Sequence, residues 1–260
     1  MLQPVWEGLA EHKWSDEQLV ALDAELAKLD FLPDYKLGMH SELGFQGSEM
    51  DRLRRHPECL QDLWALGGDE AKNSKQLLPG KIAARLIPAG WFYQNQFRCA
   101  RMMMEYYIQL ADVSQCTFSP DLLRRGDAAL TAEIKSTSPF NMLEKLMLPA
   151  LGNAAKKFAH AQESVDLART AIALERYRLA HGEFPKSLDV LAPQFIAKLP
   201  HDIINGQPLH YRRTSDGQFV LYSVGWNETD DGGVVGLDKF RPQDPPNINK
   251  GDWVWRYPSK

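Results

Sequence analysis

A chain of 260 residues is long enough for one large domain or two modest ones. Apolar residues make up 44% and charged residues 25%, the values of an ordinary folded protein and not those of a disordered or collagen-like chain. With 30 Lys and Arg against 34 Asp and Glu the net charge is −4, so no basic excess points to nucleic acid.

Ser15-Asp16-Glu17-Gln18 reads as a capping box, and Leu19, Leu22, Leu26 and Leu29 follow at helical spacing until Pro33 ends the helix. Gly38 to Gly47 reads as a turn, with short helices expected over 50–55 and 58–66 on either side of Pro57. The polar, breaker-rich stretch 67–80 reads as a loop. Residues 91–110 form the most apolar segment, a core helix burying Phe97, Ala100, Met104 and Tyr107 on one face. Pro120 and Pro139, each beside a polar residue suited to capping, open new helices.

From Ala154 to Ala180 one long helix is expected, buried along Phe158, Val165, Ile172 and Leu179. Gly182 suits its left-handed C-terminal position, and Pro185 prevents continuation. Ser187 can cap a short helix through Leu191. Residues 209–213 and 218–223 read as strands of a hairpin turning at Asp216-Gly217, and 252–257 as a last strand. Trp253 and Trp255 then share one strand face, where hydrophobic packing is expected.

Signatures of catalysis are missing from this pattern. No Walker loop, GxGxxG, HExxH or GxSxG occurs, and the 7 histidines lack metal-ligand spacing. The 3 cysteines have no CxxC spacing and read as buried thiols. One segment stands apart: Asn227-Glu228-Thr229-Asp230-Asp231-Gly232-Gly233 lines up five oxygen-bearing side chains before two glycines. Calcium takes 6–8 such oxygens, and glycines let a loop turn its carbonyls inward. Asn227, Thr229 and Asp231 echo the first alternating ligands of an EF-hand, although Asp238 stands where its closing Glu belongs. Asn227, Asp230 and Asp231 are the candidate metal ligands, with calcium the candidate ion.

Residues 171–185, ending in Tyr177, Gly182 and Phe184-Pro185, are similar to the helix end of type II secretion major pseudopilins. Leu199-Pro200-His201-Asp202, Gly206-Gln207-Pro208 and Tyr211 resemble that family's Leu-Pro-x-Asp, Gly-x-Pro and Tyr series. Tyr222-Ser223-Val224-Gly225 resembles its Tyr-Ser-x-Gly strand end, and Asp230-Asp231-Gly232-Gly233 its acidic loop. The likeness covers about 154–238; the part before it resembles no family. It implies a long helix on a small antiparallel sheet, with calcium in the acidic loop of many members. Asn227 stands where the family commonly has Asp, and Glu228 where it commonly has Gly, so the chain departs by one negative charge at a ligand position.

The expectation is therefore an α+β fold, with a helical domain over 1–150 and a pseudopilin-like unit over 151–260. The expected role is that of a structural or interaction protein of the bacterial cell envelope, with protein partners and without catalysis. An enzyme or small-ligand-binding protein with a site between the two regions, in the cytoplasm, is the alternative. No window of 18 apolar residues occurs, so an envelope location calls for a leader or anchor upstream of Met1.

Overall fold

The computed structural model describes residues 2–59, 86–134, 142–237 and 246–255. The fold is α+β. In chain order the described helices are α1 (Gln3–Ala10), α2 (Asp16–Leu26), α3 (Phe31–Arg55), α4 (Ala89–Met102), α5 (Pro120–Ile134) and α6 (Met142–His181). The strands are β1 (Ala111–Asp112), β2 (Thr117–Phe118), β3 (His210–Arg213), β4 (Phe219–Ser223) and β5 (Trp253–Trp255). Contacts divide the chain into two units, the first built from Met1–Asp34, Ala111–Pro120 and Lys156–Lys260, the second from Tyr35–Leu110 and Asp121–Ala155.

The capping box at α2 forms as expected: Gln18 N–H donates to Ser15 Oγ at 3.3 Å, and Ser15 N–H donates to Gln18 Oε1 at 3.0 Å. Pro33, however, ends nothing. It lies in the first turn of α3, where a missing N–H is harmless. That turn is capped by Asp30, whose Oδ1 accepts from Leu32 N–H at 3.1 Å, and by Gln162, whose Oε1 accepts from Phe31 N–H at 2.8 Å. The turn expected over 38–47 is likewise helix. Tyr35, Met39, Gln46, Met50 and Leu53 are buried at helical spacing, and that packing outweighs about 1 kcal/mol of propensity lost at each glycine. Nothing lies within 4 Å of a Cβ built on Gly38 or Gly44. Gly38→Ala and Gly44→Ala should each stabilise the protein by about 0.5–1 kcal/mol in urea unfolding, and a loss at either would contradict this helix.

In the second unit, α4 buries Trp91, Phe92, Asn95, Cys99 and Met102. The expected face was wrong in three of four positions. Phe97 and Met104 are 66% and 59% exposed and Ala100 is half-buried, while Tyr107 is fully buried. Within α4 the buried face runs through Trp91, Phe92, Asn95, Cys99 and Met102, which leaves Phe97 and Ala100 off it, and a π-helical turn over Met103–Tyr107 changes the helical phase only after them. Tyr35 donates to the Tyr107 carbonyl at 2.6 Å and so fixes that turn against α3. The expected helix over 58–66, the loop over 67–80 and Pro139 lie mostly or wholly outside the described residues. No disulfide joins the cysteines: Cys99 is buried as expected, but Cys59 is half-buried and Cys116 is exposed in the β1–β2 turn.

In the first unit, α6 is continuous across 154–180 and starts earlier than expected, at Met142. Val165, Ala168, Ala171, Ile172 and Leu174 are buried with Leu9 and Leu19 of the N-terminal helices and with Phe219, Leu221 and Trp255 of the sheet. Leu179 is 43% exposed and Phe158 half-buried, so the buried seam is shorter than the heptad pattern suggests. Gly182 ends the helix with φ +82°. Residues 188–191 form a 3-10 turn, and Ser187 makes no side-chain cap. The three-stranded antiparallel sheet has the order β3-β4-β5, with Tyr211 opposite Leu221 and Ser223 opposite Trp253. Trp253 and Trp255 are buried on one face as expected.

Candidate functional site

The acidic loop joins β4 to β5 across the face of the sheet that carries Val220 and Tyr222. Gly233, at φ +83°, lies so close that an added Cβ would stand 2.9 Å from Val220 Cγ1. Only glycine accepts both that φ and that approach.

The three predicted ligands are not brought to one point. Asn227 Nδ2 donates to Asp231 Oδ2 at 2.9 Å. Asp230 turns the other way, its Oδ1 accepting from the Tyr222 hydroxyl at 3.0 Å and from Gly232 N–H at 2.9 Å. His210, stacked on Tyr222 at 4.8 Å, places Nδ1 3.6 Å from Asp230 Oδ2. The Gly232 amide, the Tyr222 hydroxyl and His210 together hold the Asp230 carboxyl below its usual range. Burial, reinforced by Asp230, pushes the Tyr222 hydroxyl up to about 12.

The loop closes around a residue the sequence had not marked. Asp252, 2% exposed, accepts Asp231 N–H on Oδ1 at 3.1 Å. Its Oδ2 accepts Gly233 N–H at 2.6 Å and Val234 N–H at 3.3 Å. A calcium site requires converging carbonyl and carboxylate oxygens. Here amide hydrogens converge, and an internal carboxylate fills the concavity they form. Among the described residues no three His, Cys, Asp or Glu side chains group closely enough to hold a metal ion. The donor set as arranged does not fit calcium, and Asp238 lies outside the described residues. Millimolar calcium added to chelator-treated protein should leave the melting temperature unchanged. A rise with calcium concentration would mean that the loop refolds around the ion.

A second carboxylate group lies beneath the Leu-Pro-x-Asp segment. Asp202 is fully buried, with Oδ1 accepting from Ile204 N–H at 2.8 Å and Oδ2 from Val224 N–H at 2.9 Å. Glu163 of α6 is also fully buried; its Oε2 accepts from Ile203 N–H at 2.9 Å, and its Oε1 meets no donor or acceptor among the described residues. Burial, then repulsion from Asp202, raises the Glu163 carboxyl well above its usual value. Burial also raises Asp166 to about 6. The folded protein therefore holds a proton on Glu163 that the unfolded chain releases above the ordinary glutamate pKa. Its contribution is full below that value and is lost as pH rises toward the raised one. Glu163→Gln removes this dependence. The variant should match the native protein near pH 4 and become progressively the more stable toward pH 8 in melting experiments. A pH-independent difference would show that Glu163 is ionised in the fold.

No family model matches this chain, no curated protein matches it, and no solved structure matches it. Sequence reasoning missed Asp252, His210, Tyr222 and Glu163. A signal existed for the aromatic pair: the register set by the Asp216-Gly217 turn places His210 opposite Tyr222.

Proposed function

We propose that this protein is a non-enzymatic structural or interaction protein of the bacterial cell envelope, and that residues 151–260 form a pseudopilin-like module. What supports the reading is the Asp202 carboxylate. It joins the Leu-Pro-x-Asp turn to the end of the Tyr-Ser-x-Gly strand, so residues that carry the family likeness are used together as scaffold. Tyr211 adds to it, donating to the Pro185 carbonyl at 2.7 Å and tying the Gly-x-Pro-Tyr series to the aromatic-Pro pair after α6. Phe184 of that pair packs edge-on against Phe219 at 4.9 Å. These are holding roles. No described helix is long and apolar enough to cross a membrane, so an anchor lies outside these helices in this reading.

Protease accessibility in the native bacterium tests the proposal. The tagged protein, expressed from its complete gene, should be digested in intact spheroplasts, and chemical crosslinking before lysis should trap it in discrete heavier species. Protection until the inner membrane is broken, with no crosslinked species, would overturn the reading.

A further inference from the structure

We propose that Asn205 is a self-modification site, at which the chain converts this asparagine to aspartate or isoaspartate when the turn over 202–207 opens. The sequence contains one Asn-Gly pair, Asn205-Gly206. Glycine is the following residue least able to shield an asparagine side chain from the next backbone nitrogen, since it carries no Cβ. The turn itself calls for this pair. Gly206 has φ +69°, a conformation that side chains rarely accept, and Asn205 Oδ1 accepts from Gln207 N–H at 2.8 Å in an Asx turn. Residues 205–208 are exposed, so solvent reaches the turn.

The chemistry needs only water. Solvent base takes the Gly206 amide proton, and the nitrogen attacks Asn205 Cγ. An N–Cγ bond forms, the Cγ–Nδ2 bond breaks, and the side-chain nitrogen leaves as ammonia after taking a proton from water. Water then opens the cyclic imide. Attack at Cγ leaves an aspartate, and attack at the backbone carbonyl leaves an isoaspartate, whose main chain runs through Cγ. Either product carries one more negative charge than asparagine at neutral pH. The fold holds the first step back. Gly206 N–H donates to the Asp202 carbonyl at 2.8 Å, and Asp202 N–H donates to the Gln207 carbonyl at 2.8 Å, which closes the turn. The fully buried Asp202 carboxylate fastens that closure through Ile204 and Val224 N–H. Cyclisation requires the Gly206 bond to open, so Asn205 in the fold reacts in proportion to the open fraction. An isoaspartate adds one carbon to the main chain inside the turn, so the paired Asp202 bonds cannot both reform. Each opening that reacts is therefore recorded permanently.

The inference stands independently of the envelope reading. It is tested on the full chain by incubation in mildly alkaline buffer, folded and in concentrated guanidinium chloride, with peptide mass spectrometry locating each converted asparagine. Electron-transfer fragmentation separates aspartate from isoaspartate. In denaturant Asn205 should convert ahead of every other asparagine. In the folded protein its conversion should be at least about tenfold slower, as expected for a turn closed by several hydrogen bonds. Asp202→Ala, checked for folding by circular dichroism, should convert Asn205 faster than the native protein does. Where that variant does not fold, the native protein is followed at guanidinium concentrations below its unfolding midpoint, and conversion should rise before the global signal changes. The isoaspartyl form, separated by its added charge, should melt below the unconverted protein. Folded and denatured rates less than about tenfold apart would overturn the proposal, as would another asparagine reacting first in denaturant. So would a folded Asp202→Ala protein that converts no faster, conversion that rises only with global unfolding, or an isoaspartyl form that melts as the native protein does.

Discussion

Replacing Glu175 with Ala should destabilise the protein by about 3–5 kcal/mol in denaturant unfolding, as expected when one member of a buried charged cluster is removed. Glu175 sits fully buried on α6 between two cationic or polarisable partners. Arg178 grips it with two bonds of 2.8 and 2.7 Å, and His12 Nδ1 lies 3.0 Å from Oε1 and 3.1 Å from Oε2. His12 occupies the C-terminal left-handed position of α1, with φ +52°. Its N–H donates to the Leu9 carbonyl at 3.1 Å and Lys13 N–H to the Gly8 carbonyl at 3.2 Å, the paired bonds of a Schellman ending. A non-glycine residue there is strained by roughly 1–2 kcal/mol, and the contact with Glu175 offsets this. Arg178 and His12 retain 25% and 30% of their side-chain exposure, so water relieves part of the loss and the lower half of the range is expected. Glu175→Gln keeps the volume and should lose about 1–2 kcal/mol. A loss below about 1 kcal/mol for the Ala variant would show that the cluster is energetically idle.

Asp252→Ala should cost about 2–4 kcal/mol, because it strips the acceptor from three loop amides at once. The Asp231 and Gly233 donors lie close enough to solvent to regain water, which keeps the effect below three full unsatisfied bonds. Asp252→Asn is the sharper test. It preserves shape but substitutes an NH2 for one of two oxygens, setting donor against donor, and it should recover little of the loss. The loop resonances of 231–234 should broaden or shift in either variant while those of β3 stay in place. If Asp252→Asn is as stable as the native protein, the carboxylate does not organise the loop.

Local chemistry was legible in the sequence where a few adjacent residues decide the outcome. Ser15 and Gln18 cap α2, Gly182 closes α6, and Asp216-Gly217 sets the β3–β4 register. Helical phase was less legible. The π turn at Met103–Tyr107 changes which side chains face the core beyond α4, and no residue pattern announces it. Gly38, Gly44 and Gly47 misled because tertiary burial of Tyr35, Met39, Met50 and Leu53 outweighs local propensity. The acidic loop was located correctly as a loop. Its organiser, Asp252, lies 21 residues from the amide of Asp231 it accepts, a pairing no linear spacing reveals. Oxygen-rich spacing and the pseudopilin likeness suggested calcium at a loop where the amides of Asp231, Gly233 and Val234 meet the Asp252 carboxylate.

The contacts of α1 and α2 with α6 also set an order of events during synthesis. His12 waits for a partner 163 residues later, Asp16 for one 160 later, and Asp23 for one 146 later. At roughly 5–20 residues per second, the ribosome needs about 8–30 s to deliver them. Helices of 8 and 11 residues are too short to hold alone in water for that interval. Their apolar positions, Val5, Leu9, Leu19 and Leu26, therefore emerge well before their partners and find shelter late, once α6 and the strands have left the tunnel. These side chains stay without their native cover for as long as the residues between them and α6 take to be made.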